Sequence, residues 1–405
     1  MFRQLSWILL CAAALPAAAA EPLPLDAFVQ TVVRNNPGLQ AERQNAAAAA
    51  EGAKAAGSFM DPMLSYAVAP VMLAKGDAAY AQQIEIEQPL AWTGKRALER
   101  SAMEQEAAMK RVGTQAKAQQ LATQARMLYG ERIILAIDHE ALHDELDQLD
   151  ELRRSTLASI ASGMGSQSDA LMVESEFHMI HEKETANHSD RVALDAQIDA
   201  LAGDGISERL SFDLPTYAVD VSAEAAFPEI EMSRRAVARA QAERDLAKKS
   251  VFPDVAVFAG LNTMWADRNG WLMAGVKLNL PVQRGRRTAE IAQADERAAA
   301  ATLQVESARW ERDGMRRKAL AMLDEARSNR ALYEQTAIPL AERRLAAARA
   351  AYAGGKVPIE AVIEAVRYRI TARSMTKKMA VKEFQAYAEL AYANGKALDA
   401  AGGAQ

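Results

Sequence analysis

Glu360 and Glu364 lie four residues apart, a spacing that puts two carboxylates on one face of a helix, where they attract cations. Asp169 is a third acid, just beyond the glycine-rich stretch Ser162 to Ser168. The five histidines are His139, His143, His178, His181 and His188, and none lies in the second half of the chain. His139 and His143 share a helix face, and in an antiparallel helix pair turning at Met164 His139 comes about level with His188. Imidazoles so placed can bind zinc or copper. Asp138, Glu140 and Asp144 surround them and no cysteine joins them, so a solvated face is the stronger reading for the histidines, and no metal or other cofactor is assigned. The acidic pair has the same plain alternative. There is no GxSxG, phosphate loop, HExxH or cysteine nucleophile, and an enzyme is not expected.

The elements that position these residues are read from punctuation and periodicity. Asp61 to Arg100 holds two strands around Lys75-Gly76-Asp77, then breaks at Pro89 and Gly94 and the start of a long helix. Ile84 and Ile86 point one way and Gln83, Glu85 and Glu87 the other, because strand side chains alternate with period two. The pattern returns about 191 residues later. Phe252 to Arg287 has Val255, Val257 and Leu261 on one face, a turn through Asp267 to Gly270, and Val276, Leu278 and Leu280 alternating with Gly275, Lys277 and Asn279. Pro281 stands to Pro89 as Gly285 to Gly94, Asn36-Pro37 pairs with Phe227-Pro228, and Gly163 with Gly354, so the chain is a tandem duplication.

Residues 1–20 carry Arg3, an apolar run from Leu5 to Leu15 and Ala18-Ala19-Ala20, the pattern of a secretory signal too short to span a membrane. Cys11, the only cysteine, lacks the small residues before it that a lipid-anchor signal needs, so the mature chain is expected to have neither cysteine nor lipid. The formal charge of the full chain is −5, and this mild acidity argues against a nucleic-acid partner. No later apolar stretch is long enough for a spanning helix, so any membrane crossing must use strands.

The first repeat is read as residues 21–226, with its β-hairpin at about 62–89 and a helical tip at about 162–168. The second is 227–396, with a hairpin at about 252–281 and a tip at about 353–358, followed by a disordered tail over 397–405. A short helix breaks at Asn36-Pro37, and a nearly unbroken helical pattern runs from Arg96 to Ser159. Leu121, Leu128, Leu135, Leu142 and Leu149 repeat every seven residues along it, a coiled-coil seam. Such a helix reaches roughly 100 Å. Gln167 to Ala202 returns antiparallel; Arg286 to Tyr352 and Pro358 to Asn394 repeat the plan, with Pro358 in a first helical turn. The fold class is mainly α with a small β part: duplicated long helical hairpins and two β-hairpins.

Four strands cannot close a membrane barrel, and an open sheet leaves its edge amides unsatisfied in lipid. Several copies must share one barrel. Two copies make eight strands, filled by side chains; three make twelve and leave a lumen that the helices continue as a tube. Trp265 and Trp271 flank the second hairpin turn, where either an aromatic belt or simple packing accounts for them.

The residues now carry a family resemblance. LPLDAFVQTVVRNNPGLQAER (Leu23 to Arg43), DPMLSYAVAP, QPLAWTGKR, LPVQRGRR and YAGGKVPIEAVIEAVR (Tyr352 to Arg367) occur in this order, and the chain resembles the TolC family of outer-membrane efflux channels over essentially its whole mature length. The resemblance implies a homotrimer, with a twelve-stranded barrel in outer-membrane lipid of a Gram-negative bacterium and a twelve-helix periplasmic tunnel. It implies docking to a periplasmic adaptor and an inner-membrane pump. Gly94-Lys95 and the Gly-Lys-Val of the second tip lean toward the heavy-metal cation-efflux (CzcC-like) branch, which serves resistance-nodulation-division pumps. A lipid-anchor cysteine found in several relatives is missing.

In the family the helix tips meet the adaptor, which assigns Gly163, Met164, Gly165, Ser166, Gly354, Gly355, Lys356 and Val357 to partner contact. The compatible plain reading is a turn that needs glycine for positive φ. Glu364 matches an acidic position that narrows the tunnel entrance in family members, and with Glu360 it is assigned to a constriction; threefold symmetry would make a ring of three carboxylates. A protein-secretion channel of the type I kind is the runner-up within the class. The rival from another class is a periplasmic coiled-coil adaptor or structural protein, disfavoured by two duplicated hairpins with lipid-type alternation.

Overall fold

The computed structural model describes residues 22–72, 78–163, 165–214, 227–263 and 272–395. The secretory signal, both β-hairpin turns with Trp265 and Trp271, Met164 and the 397–405 tail lie outside the described residues. Asn36 separates α1 (Leu25–Asn35) from α2 (Pro37–Ala55), its side chain accepting from Leu39 N at 3.1 Å while Pro37 takes the first helical position. Strands β1 (Met63–Met72) and β2 (Ala78–Leu90) precede α3 (Lys95–Ala161, 67 residues) and its return partner α4 (Gln167–Ala202). The second repeat follows as α5 (Pro228–Lys249), β3 (Asp254–Asn262), β4 (Leu272–Asn279), α6 (Arg284–Leu332), α7 (Ile338–Ala353) and α8 (Ile359–Ala393).

Three expectations need correction. The second long helix runs on through a π turn, Tyr333–Ala337, which joins α6 to α7. Pro339 has no N–H for the carbonyl four residues back, and a π turn absorbs one extra residue. The extra residue shifts the repeat beyond it. Positive φ therefore falls at Gly163 (+77°) and Gly355 (+65°), while Gly354, the expected partner of Gly163, closes α7 with φ −88°. Pro89 does not end its strand, since β2 runs on to Leu90 with Pro89 opposite Ala256. Pro358 is the N-cap of α8, one residue before its first turn.

The strands form one antiparallel sheet in the order β1-β2-β3-β4, so β2 and β3 join the two repeats, with Ile84 opposite Leu261 and Leu90 opposite Val255. Helices attached to these strands pack in the same lateral order, α2 on α3, α3 on α5 and α5 on α6. A four-strand sheet thus runs on into a four-helix layer.

Beyond that layer α4 packs on α3, α7 on α8, and α8 on both α3 and α6. The leucine seam is present: Leu121, Leu128 and Leu149 are buried, and Leu135 and Leu142 pack against them. Facing it on α4 is a second seven-residue stripe, Val173, Ile180, Asn187, Leu194 and Leu201, all buried. Asn187, its one polar member, donates to Leu135 O at 3.1 Å, which pins the register of the two helices.

The main core lies at the waist, where α1, α3, α4 and α8 meet around Phe28, Tyr129, Ile198 and Phe384. Tyr129 donates to Asp213 O at 2.8 Å, so its polar end is satisfied inside the cluster. Phe28 is fully buried. Phe28→Ala is expected to cost about 3–5 kcal/mol through the cavity it leaves, read as a lowered denaturant midpoint with an unchanged slope.

Candidate functional site

The sheet is built the wrong way round for a water-soluble protein. Tyr66, Ile84, Leu261 and Leu272 stand opposite one another across the four strands and are 45–73% exposed. Leu64, Ile86, Val257, Val276 and Leu278 extend the same apolar face. On the other face Glu85 is buried, and Lys277 of β4 reaches across β3 to bond both Glu85 and, at 2.6 Å, Glu87 of β2. A sheet with oil outside and charges inside fits lipid on one side and water on the other.

At the junction with the helices, Lys95 donates to Asp254 Oδ1 at 2.8 Å and to Phe252 O at 2.9 Å, and Trp92 stacks on Phe252 with centroids 5.7 Å apart. Gly94 sits there with φ +86°, closed over by Lys249, so the expected break is a left-handed helix start that disfavours any side chain. Gly285, its supposed counterpart, lies inside the first turn of α6 instead.

The opposite end carries both tips. Gly163 N donates to Ile160 O and Gly165 N to Ser159 O at 2.9 Å; a Cβ on Gly165 would lie 2.6 Å from Ile160 N. Ser166 caps α4 by accepting from Ser168 N at 3.1 Å. Lys356 N donates to Ala351 O at 2.9 Å, and the side chains of Lys356 and Ser166 are exposed while Val357 is half-buried. Geometry alone thus accounts for Gly163, Gly165 and Gly355.

Glu360 and Glu364 are both exposed on α8, but Glu364 is not free: Arg344 of α7 donates to it at 3.2 Å. Two further links tie the repeats together near the tips. Tyr352 of α7 donates to Asp169 of α4 at 3.0 Å. Burial, reinforced by this bond to a carboxylate, pushes the Tyr352 phenol above its usual pKa. Arg367 of α8 donates to Glu145 of α3 at 3.2 Å and to Glu176 of α4. Burial works against its charge, yet the two carboxylates outweigh it and hold the guanidinium pKa above the ordinary value.

His139, His143 and His188 are exposed on α3 and α4, and no group of three or more His, Cys, Asp or Glu that could hold a metal occurs among the described residues. Arg367 and Lys277 escaped sequence reasoning. The signal available for Lys277 was its position on the polar side of β4; nothing local marked its partners.

Residues 221–396 match the family described as outer membrane efflux protein. The match spans the second repeat. No curated protein of known function matches the chain. Among solved structures, the outer membrane protein VceC from Vibrio cholerae is similar over 93% of this chain and 97% of its own, at 17% identity and a TM-score of 0.79. A membrane protein from Pseudomonas aeruginosa is similar over 92% of this chain and 90% of its own (15% identity, TM-score 0.80). The Campylobacter jejuni CmeC outer membrane channel is similar over 93% and 86% respectively (13% identity, TM-score 0.78). At these identities the likeness is one of fold, and it spans both repeats. No helix among the described residues is long and apolar enough to cross a membrane.

Proposed function

We propose that three copies of this chain share one twelve-stranded barrel in the outer membrane and continue it as a helical tunnel into the periplasm, forming the passive conduit of a tripartite efflux system. The observation that carries this reading is the apolar outward face of a sheet whose strand order is repeated by the helix layer below it. An open sheet cannot satisfy its edges in lipid, whereas three sheets edge to edge can. In this reading the tips, Gly163 to Ser166 and Gly354 to Val357, contact a periplasmic adaptor, and a resistance-nodulation-division pump supplies cargo. Heavy-metal cations are the cargo class in this reading, toward which Gly94-Lys95 and Gly355-Lys356-Val357 lean. The deciding experiment is electrophoresis of protein extracted from the outer-membrane fraction, with and without boiling. A heat-modifiable band at three times the monomer mass is expected; a soluble periplasmic monomer would sink the proposal.

The Tyr352 to Asp169 link holds the second tip to the first helical hairpin and so restrains opening. Its pH dependence follows from the raised phenol pKa. Stability from the neutral phenol is fully present below about pH 10, the unfolded value, and is lost as pH rises through the higher folded value. Conductance of the wild type in a planar bilayer should therefore rise above about pH 10, and Tyr352→Phe should remove that alkaline limb. An identical pH profile in the variant would show that this bond does not restrain the tip.

A further inference from the structure

The polar face of the sheet holds one arrangement that the conduit reading does not require. Lys277 leaves β4 beside Ala256 and crosses β3 to reach Glu85 and Glu87 on β2. Its path is cleared by missing side chains. A Cβ on Gly260, opposite Glu85, would lie 2.5 Å from Ile84 O, and one on Gly275 would lie 2.7 Å from Phe258 Cζ. The Phe258 ring therefore lies across Gly275, with the Lys277 ammonium 4.9 Å from its centroid. The Glu85 side chain is 8% exposed beneath this cover and also accepts from Gln83 Nε2 at 3.3 Å, while Lys277 remains 46% exposed.

Alternation gives the direction in which the group faces. Ile84 and Ile86 occupy the apolar face, so Glu85 and Glu87 occupy the other, with Ser65, Asn262 and Lys277. In a barrel with its apolar face in lipid, that side is the lumen. Two carboxylates against one ammonium leave each copy with one uncompensated negative charge at this level. The nearby Asp254 and Lys95 cancel one another.

We propose that the Glu85, Lys277 and Glu87 triads of the three copies form an ion-selecting ring on the barrel wall, with Lys277 setting how strongly it favours small cations over anions. The inference rests on the conduit reading and adds a filter far from the tips. Fixed charge on a lumen wall raises the local concentration of counter-ions within roughly a Debye length, about 30 Å at 0.01 M salt. Removing the ammonium doubles the uncompensated charge; removing both carboxylates reverses its sign.

The test is the reversal potential across a planar bilayer separating two dilute KCl solutions, using the full-length protein. Lys277→Met should raise the potassium-to-chloride permeability ratio about threefold, Lys277→Arg should leave it near wild type, and Glu85→Gln with Glu87→Gln should lower it at least about twofold. Should Lys277→Met fail to assemble, the triple substitution Glu85→Gln, Glu87→Gln and Lys277→Met leaves no charge behind and should give a ratio below wild type. A conducting wild type whose ratio is unchanged in every assembled variant overturns this inference and leaves the conduit intact. A wild type that inserts but never conducts overturns both.

Discussion

Ile84→Lys should abolish the heat-modifiable outer-membrane species. Ile84 lies midway along β2, 45% exposed, between Tyr66 on one neighbouring strand and Leu261 on the other. A lysine facing lipid near the middle of a barrel wall costs about 2–4 kcal/mol, and a shared barrel incurs that cost in every copy. In a water-soluble protein the same change at a half-exposed position would shift stability by no more than about 0.5 kcal/mol. The control is Ser65→Lys, exposed on the opposite face across from Glu85, which the proposed conduit turns to water. The expected outcome is loss of the boiling-sensitive band for Ile84→Lys and its retention for Ser65→Lys. Equal behaviour of the two variants would remove the case for lipid on the apolar face.

Arg367→Met should loosen the tip end. The guanidinium bonds both Glu145 and Glu176, whose side chains are 9% and 18% exposed, and its loss leaves two poorly hydrated carboxylates facing each other. Removing one partner of a fully buried pair costs about 3–5 kcal/mol; with Arg367 itself 37% exposed, about 2–3 kcal/mol is the expected destabilisation. Because the link fastens α8 to α3 and α4, the same substitution should raise single-channel conductance. A lowered thermal midpoint together with raised conductance is the predicted signature, and Glu145→Gln added to Arg367→Met should recover part of the midpoint by removing the stranded charge. Lowered stability with unchanged conductance would mean that the clamp supports the fold without restraining the tunnel.

Much of this architecture was legible because its signals are local. Asn36-Pro37 and Phe227-Pro228 each open a helix, and both occur at one repeat offset. Ile84, Glu85 and Ile86 alternate as a strand with two unlike faces must, and leucines from Leu121 to Leu149 keep the seven-residue spacing of a seam. Each of these patterns depends on residues within a few turns of one another, where chain geometry alone decides the neighbours.

The one-residue slip of the second tip was less legible, because a π turn leaves the helical pattern on both sides intact. The glycine pairing consequently failed at Gly354, whose φ is negative, and succeeded one residue on. Glu364 was recognisable as an exposed acid but not as the partner of Arg344, since that bond needs the register of α7 against α8.

By itself the sequence determined the duplication, the types of element and the amphipathic strands. Only the tertiary structure decided the lateral order of strands and helices, the reach of Lys277 to carboxylates 190 and 192 residues away, and the clamp of Arg367 on Glu145, 222 residues away. The physical reason is that period and punctuation are properties of a short stretch of backbone. An ion pair between distant segments depends on registers set by every strand and seam between them.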